Sequence, residues 1–179
     1  LSLSLTPSCS YWVSRRAEDI VDKRTLDVHQ IQLPTLLGGV SECIVPTGAY
    51  LLGLNLSQNN IPTLPDTFLC VDNFPLLQRL LLGSNKLREI PESLFTLESL
   101  VELRLENNRL EGELSRSIGN LVNLKILDLA FNSITSIPEE VKSLFSSSSS
   151  SFSLSLSHSL THSLSLSLSL SHSLSLSLS

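Results

Sequence analysis

The most regular feature of the chain is a spacing of leucine that occurs four times in its middle part. In residues 100–110, LVELRLENNRL, leucine occupies the first, fourth, sixth and eleventh places and asparagine the ninth. Copies of the pattern, with isoleucine at some eleventh places, begin at positions 51, 77 and 124. Fourth- and sixth-place leucines alternate as in a β-strand, and a period of roughly 20–50 residues is typical of repeat architectures. The pattern predicts short parallel strands near 53–57, 79–83, 102–106 and 126–130.

The segments between these strands share a second pattern. Residues 90–97 and 137–144 each begin with Ile-Pro, followed by a polar pair and then apolar residues three apart. Proline fits the first position of a helical turn, where φ is about −65° and no amide donor is needed. These segments therefore predict short helices or 3₁₀ turns. The third copy differs, because it continues Leu110-Glu111-Gly112-Glu113-Leu114-Ser115 and has no proline.

The combined pattern resembles that of the leucine-rich repeat family, and the resemblance covers roughly residues 23–145. It implies an α/β repeat fold: a short right-handed solenoid with a parallel sheet on its concave side and helical or 3₁₀ turns on its convex side. Each buried leucine in such a fold contributes about 1.5–3 kcal/mol, but only where a neighbouring repeat covers it.

Asparagine at the ninth place is interpreted as structural. It stands where the chain leaves the strand, so nearby backbone groups lose their partners in the sheet. An amide side chain both donates and accepts hydrogen bonds, so we expect each one to satisfy its own turn and the backbone of the next repeat. The four residues are Asn59, Asn85, Asn108 and Asn132.

The pattern also predicts the domain limits. Residues 1–13 are a low-complexity or disordered start, and residues 14–145 are the repeat domain. Within that domain, residues 14–24 resemble a short amphipathic capping helix and residues 23–50 a degenerate first repeat, with Ile31 at the ninth place. A solenoid needs such caps because its terminal repeats otherwise expose the core.

Residues 146–179 form a tail mainly of serine and leucine without formal charge, in which the alternation begins at Ser151 and is interrupted at Phe152, His158, His162 and His172. The strict alternation favours an amphipathic strand or an assembly segment. Alternatively, a CTCTCT tract in the gene translates as alternating leucine and serine in every frame. We expect the tail to be a disordered low-complexity segment outside the domain.

Charge and cysteine usage narrow the possible partners and compartments. The net charge of −5 and pI near 5.3 argue against nucleic acid, and no apolar stretch approaches the ~18 residues needed to span a bilayer. Three cysteines without clustered pairs favour a reducing compartment, so we predict a cytoplasmic protein. The third repeat resembles the 24-residue plant-type variant of this family, except that Ser115 stands where that variant usually has proline. With the glycosylation sequon at residues 55–57, it leaves an alternative: the extracellular part of a membrane receptor.

The sequence offers no case for catalysis. It lacks the GxxxxGK[ST] loop that cradles phosphates, and His29 is the only histidine of the predicted domain. We therefore expect no enzyme activity, no catalytic residue, no metal, no cofactor and no small-molecule substrate.

Function is predicted to lie on the outward side chains of the strands, at the third, fifth, seventh and eighth places of each repeat, which we call the concave face. Apolar side chains on an open face indicate a contact surface. The resemblance implies a protein partner and a role in intracellular signalling or scaffolding, as in repeat proteins that include Ras-pathway scaffolds. Alternatively, the chain is a regulatory segment of a larger kinase or phosphatase. The predicted contact residues are Arg79, Leu81, Glu102, Arg104, Glu106, Ile126, Asp128 and Phe131.

Overall fold

A computed structural model describes residues 23–30, 40–141, 144, 153–156 and 175–178. Its main element is one seven-stranded parallel sheet. The first five strands in spatial order are β1 (Thr25–Asp27), β2 (Gly53–Asn55), β3 (Arg79–Leu81), β4 (Glu102–Arg104) and β6 (Ile126–Asp128). Each of these strands is short and starts at the third place of its repeat. The predicted parallel sheet is confirmed, although the strands end earlier than expected.

The register places fourth-place leucines side by side. Leu54 pairs with Leu80, Leu80 with Leu103, and Leu103 with Leu127. These four leucines are at most 1% exposed and belong to one continuous core. Alternation explains the burial, since inward leucines of one strand are covered by those of the next.

Degenerate residues of the first repeat adopt the same backbone as later repeats. Thr25 pairs with Gly53, so residues 25–27 occupy the third to fifth places, as predicted. Gln30 then falls on the eighth place and has a φ of 56°. The eighth-place residues of the other repeats have a φ between 54° and 56°, and they are Gln58, Ser84, Asn107 and Phe131. A shared left-handed turn therefore ends each strand. Residues 14–22 of the predicted capping helix lie outside the described residues.

The outer side carries short helical elements, including the turn predicted at residues 90–97. Helix α1 spans Val40–Gly48, and 3₁₀ helices span Glu92–Thr96 and Arg116–Asn120. Pro91 precedes the first 3₁₀ helix with a φ of −64°. Ser115 precedes the second and accepts a hydrogen bond from the Ser117 backbone N–H through its hydroxyl oxygen at 3.2 Å. Serine thus starts this turn by side-chain capping, whereas proline does so by its fixed φ.

A second, smaller sheet lies beside the main one. It consists of β5 (Glu111–Glu113) and β7 (Ser133–Ser136), which pair in parallel. These two strands are the segments that follow β4 and β6 in successive repeats. None of the helices in the described part of the chain is long and apolar enough to cross a membrane.

The structure differs from the expectation that the serine-leucine tail lies outside the domain. Strand β8 (Ser153–Leu156) pairs with β6, and β9 (Ser175–Leu178) pairs with β8. Leu154 is 2% exposed and Leu156 is 1% exposed, so both join the core. The physical reason is that alternating leucine matches the inward fourth and sixth places and covers the core edge at β6. The other positions of 146–179 lie outside the described residues.

Candidate protein-binding surface

The predicted contact residues lie together on three neighbouring strands and the turns that follow them. Arg79 is exposed, and Phe131 is 59% exposed. The other six are partly buried, including Leu81 and Ile126, whose apolar side chains are therefore less exposed than the sequence suggested. Strand pairing puts Arg79 beside Glu102, and Arg104 between Leu81 and Asp128, as the repeat register predicted.

Arg104 is the centre of the charged part of the concave face. Its Nε donates a hydrogen bond to Glu102 Oε1 at 2.6 Å, within the same strand. This bond raises the pKa of Arg104, and the negative charges of Glu102, Asp128 and Glu106 raise it further, against the opposing effect of burial. Sequence reasoning placed Asp128 beside this guanidinium but missed the partner two positions away, although residues i and i+2 of a strand share a face.

Glu106 lies deeper in the surface than a charged residue normally does. A side chain added at Gly83 would fall within 2.8 Å of three Glu106 carboxylate atoms, so the carboxylate fills the space that glycine leaves on the neighbouring repeat. Glu106 Oε2 is buried and has no hydrogen-bond partner. Burial raises the pKa of Glu106, with further increases from the charges of Asp128 and Glu102, while a hydrogen bond from its own backbone and the charge of Arg104 lower it.

Replacing Glu106 with glutamine is expected to raise the melting temperature at neutral pH. The folded-state pKa of Glu106 is raised, so its contribution to stability is fully present below the unfolded-state pKa. That contribution is lost as pH rises through the folded-state pKa, whereas glutamine stays neutral. The gain over the parent should therefore be positive at pH 7 and shrink towards zero in acid, as measured by thermal unfolding over a pH series. Glu98→Gln, at an exposed glutamate, is the control, and a gain of equal size at acid pH would contradict the buried-charge explanation.

Phe131 combines exposure with an unfavourable backbone conformation. Its φ of 55° lies in the left-handed region, where a bulky side chain is rare and costs about 1–3 kcal/mol. The same place is occupied by Gln58, Ser84 and Asn107 in the preceding repeats. Neither core packing nor backbone preference therefore explains an aromatic ring at this place.

The ninth-place asparagines form a ladder that links repeats. Asn108 donates from Nδ2 to the carbonyls of Leu82 and Leu105, both at 3.0 Å, and its Oδ1 accepts from the Leu87 N–H at 3.0 Å. Asn85 and Asn132 make the equivalent contacts with their own and the preceding repeat. The structural role is as expected, but the contacts reach the preceding repeat rather than the next one. The Asn59 amide likewise donates to the carbonyl of Val28.

One further pair of ionisable side chains, His29 and Asp27, interacts at the end of β1. His29 Nδ1 lies 2.6 Å from Asp27 Oδ1, an oxygen that also accepts the His29 backbone N–H. Among the described residues, no three His, Cys, Asp or Glu side chains converge to hold a metal ion. The arrangement therefore offers hydrogen bonds, charge and an exposed ring, which are the means of recognising another molecule.

Comparisons with known proteins follow the repeat pattern. The family model described as Leucine Rich Repeat matches residues 99–121 and 123–144. An adenylate cyclase of Podospora anserina is 32% identical over 112 residues, covering 60% of this chain and 5% of that protein. A MAP kinase phosphatase with leucine-rich repeats from Dictyostelium discoideum is 33% identical over 117 residues, covering 65% of this chain. The matched region spans 13% of that phosphatase, so the chain corresponds to a small part of either relative.

Solved structures show the same fold. The leucine-rich repeat domain of APL1B superposes with a TM-score of 0.64 at 22% identity, covering 87% of this chain and 42% of that one. A leucine-rich repeat protein of Leptospira interrogans superposes with a TM-score of 0.60 at 27% identity, covering 80% of this chain and 38% of that one. Both likenesses extend beyond the two repeats that the family model matches.

Proposed function

The chain belongs to the leucine-rich repeat family, and on that premise we propose that it is a non-catalytic module that binds a protein partner through its concave face. The module spans residues 14–145, with β8 packed on its last repeat. The observation that carries the proposal is Phe131, an exposed aromatic ring held in a left-handed backbone beside a cluster of charges. The eighth places of the five described repeats share this left-handed turn, and Phe131 is the aromatic residue among them, so the turn alone does not account for the exposed ring.

The charged cluster gives the surface its specificity. Glu102, Glu106 and Asp128 lie around Arg104, and Arg79 lies beside Glu102, so the three carboxylates outnumber the two guanidinium groups. Complementary charge raises the rate of encounter and disfavours wrong partners more than it adds affinity. A partner that places an acidic group at Arg104, cationic groups at the surrounding carboxylates and an apolar side chain at Phe131 therefore fits this surface.

Arg104→Glu and Phe131→Ala are each expected to lower binding of the partner by about thirtyfold or more. Arginine and aromatic residues at the centre of an interface commonly lose about 2 kcal/mol or more on truncation. Partners would be recovered from a cell lysate on the immobilised full chain, identified by mass spectrometry and then titrated one at a time against each variant.

Glu98→Lys is the matched control, because it reverses an exposed charge beyond the 3₁₀ helix at Glu92–Thr96. Thermal unfolding would establish that all variants are folded. Equal affinity of the parent, the control and both concave variants for every titrated partner would show that the concave face does not bind it.

A second candidate function is that of a regulatory segment in a larger enzyme. The observation that favours it is the similarity to an adenylate cyclase and to a MAP kinase phosphatase, each of which this chain matches over a small part of its length. Sequencing the full transcript tests this proposal. A catalytic domain in the same reading frame would support it, and a complete transcript encoding repeats alone would exclude it.

The proposed compartment is the cytoplasm, with the extracellular part of a receptor as the alternative. Cys70 is a free cysteine in the structure, in agreement with a reducing compartment. Asn55 of the sequon is partly exposed on β2, where its Oδ1 accepts the Ser57 N–H at 3.0 Å. Expression in a secretory host separates the two: glycosylated Asn55 with full partner binding would favour the receptor, and binding only by unglycosylated protein would favour the cytoplasm.

A further inference from the structure

A second surface lies on the flank of the solenoid, away from the strands of the concave face. A cavity of about 390 Å³ is lined chiefly by residues 88–92, 110–111 and 113–115, and we call it the lateral groove. It lies between β5 and the 3₁₀ helix at Glu92–Thr96. Leu110, Leu114 and Ile134 contribute largely buried apolar side chains to its lining. Ile90, also in the lining, is only partly buried, so apolar surface remains accessible there.

The shape of the lateral groove fits an extended segment better than a compact molecule. Its lining comes from four successive repeats, beginning at Leu64 and ending at Ile134. Strands of neighbouring repeats lie about 4.8 Å apart, so a groove across four repeats is about 15 Å long. An extended peptide rises about 3.3 Å per residue, so about five residues match that length.

The rim of the groove carries a strong excess of negative charge. Five of the 17 acidic residues of the chain line it, against the single cation Arg88, and they are Asp66, Glu89, Glu92, Glu111 and Glu113. All five are exposed. Like charges so close together repel one another, and a cationic ligand relieves that repulsion while covering the apolar lining. The charge of the rim and the apolar part of the lining therefore both favour a ligand that is cationic and partly apolar.

We propose that the lateral groove binds an extended basic segment of a protein, about five residues long, in which cationic side chains alternate with apolar ones. Alternation in an extended chain points successive side chains in opposite directions. The apolar side chains therefore enter the groove beside Ile90 and Leu114. The cationic side chains leave the opposite face of the segment, and their long flexible stems extend over the rim to its carboxylates. This site is separate from the concave face and is independent of the function proposed for that face.

The test uses a fluorescent peptide of sequence Lys-Leu-Lys-Leu-Lys, acetylated and amidated at its ends, titrated with the full chain by fluorescence anisotropy. We expect saturable binding that weakens as salt increases, since ion pairs at an exposed rim are screened. Peptides with glutamate for lysine, or with serine for leucine, should each bind at least about tenfold more weakly, because the first lacks the cations and the second lacks the apolar side chains.

Paired charge reversals locate the site. Glu89→Lys with Glu111→Lys should weaken binding about tenfold or more. Asp72→Lys with Glu98→Lys is the matched control, since it makes the same change in net charge at exposed positions outside the groove. The control pair should bind the peptide within about twofold of the parent, given that distant sites act independently.

Three results would overturn the proposal: no saturable binding by the parent, equal weakening by the groove pair and the control pair, or equal affinity for the serine peptide. Circular dichroism would establish that both variant pairs are folded. Amide chemical shifts of the parent give a second measure that needs no variant, and shifts at Ile90, Gly112 and Glu113 on adding peptide are expected. Shifts confined to the concave strands would also contradict the proposal.

Discussion

Asn108→Ala is expected to lower the free energy of unfolding by about 3 kcal/mol, because its side chain makes three hydrogen bonds of 3.0 Å to backbone groups of the buried turn. These groups are the carbonyls of Leu82 and Leu105 and the N–H of Leu87. Leaving one buried backbone group unpaired costs about 1–3 kcal/mol, and these costs are only partly additive within one turn. Urea unfolding of the parent and the variant measures the loss.

Two further substitutions separate donation from acceptance and from a general effect of removing an amide. Asn108→Asp keeps an acceptor for the Leu87 N–H but cannot donate, so it should destabilise the fold at least as much as alanine. Asn123→Ala removes an exposed amide whose Nδ2 donates to the Glu98 carbonyl at 2.9 Å, and it should cost much less. If Asn108→Ala and Asn123→Ala lose equal stability, the ladder of asparagines does not hold the repeats together.

Replacing both Leu154 and Leu156 with alanine is expected to lower the free energy of unfolding by about 2–5 kcal/mol, the range for deleting a buried leucine at one site. Both side chains are fully buried against the last repeat. The combined loss is smaller than the sum for two independent sites. The reason is that β8 separates from β6 once its remaining contacts no longer offset the cost of ordering it. The repeat at β6 then exposes its core edge.

Hydrogen exchange shows whether β8 has detached. The Leu129 N–H donates to the Ser155 carbonyl at 2.9 Å and should lose protection in the double variant. Ser153→Ala changes a partly exposed side chain of the same strand and should leave that protection unchanged. Unaltered protection of Leu129 in the leucine variant, with unaltered stability, would show that β8 does not cover the solenoid.

Much of the fold follows from the sequence because each repeat carries its own signal. The places of Leu54, Leu80, Leu103 and Leu127 predict which residues pair across the sheet, and the structure confirms that register. Even the first repeat is aligned correctly, although Ile31 replaces its asparagine. Local spacing is sufficient here because every strand packs against a neighbour with the same spacing.

The candidate surfaces were less accessible to sequence reasoning. The outward places predict that Arg104, Glu102 and Asp128 lie together, but several carboxylates within reach leave the partner of the guanidinium open. Side-chain geometry selects Glu102. The burial of Glu106 depends on the absence of a side chain at Gly83, which belongs to the preceding repeat. The lateral groove draws on four repeats at once, and no single repeat contains its pattern of charge.

The sequence by itself determined the repeat, its register, the inward leucines and the asparagines at the turns, because these depend on spacing that is repeated along the chain. Tertiary structure alone decided the fate of Ser153–Leu156. Alternating serine and leucine is compatible with a disordered tail and with a strand, and nothing local distinguishes the two. The difference comes from β6, whose outer edge and apolar neighbours need a cover that residues 153–156 supply. Burial against a strand that is distant in sequence depends on the assembled fold, so the spacing of residues within a segment does not predict it.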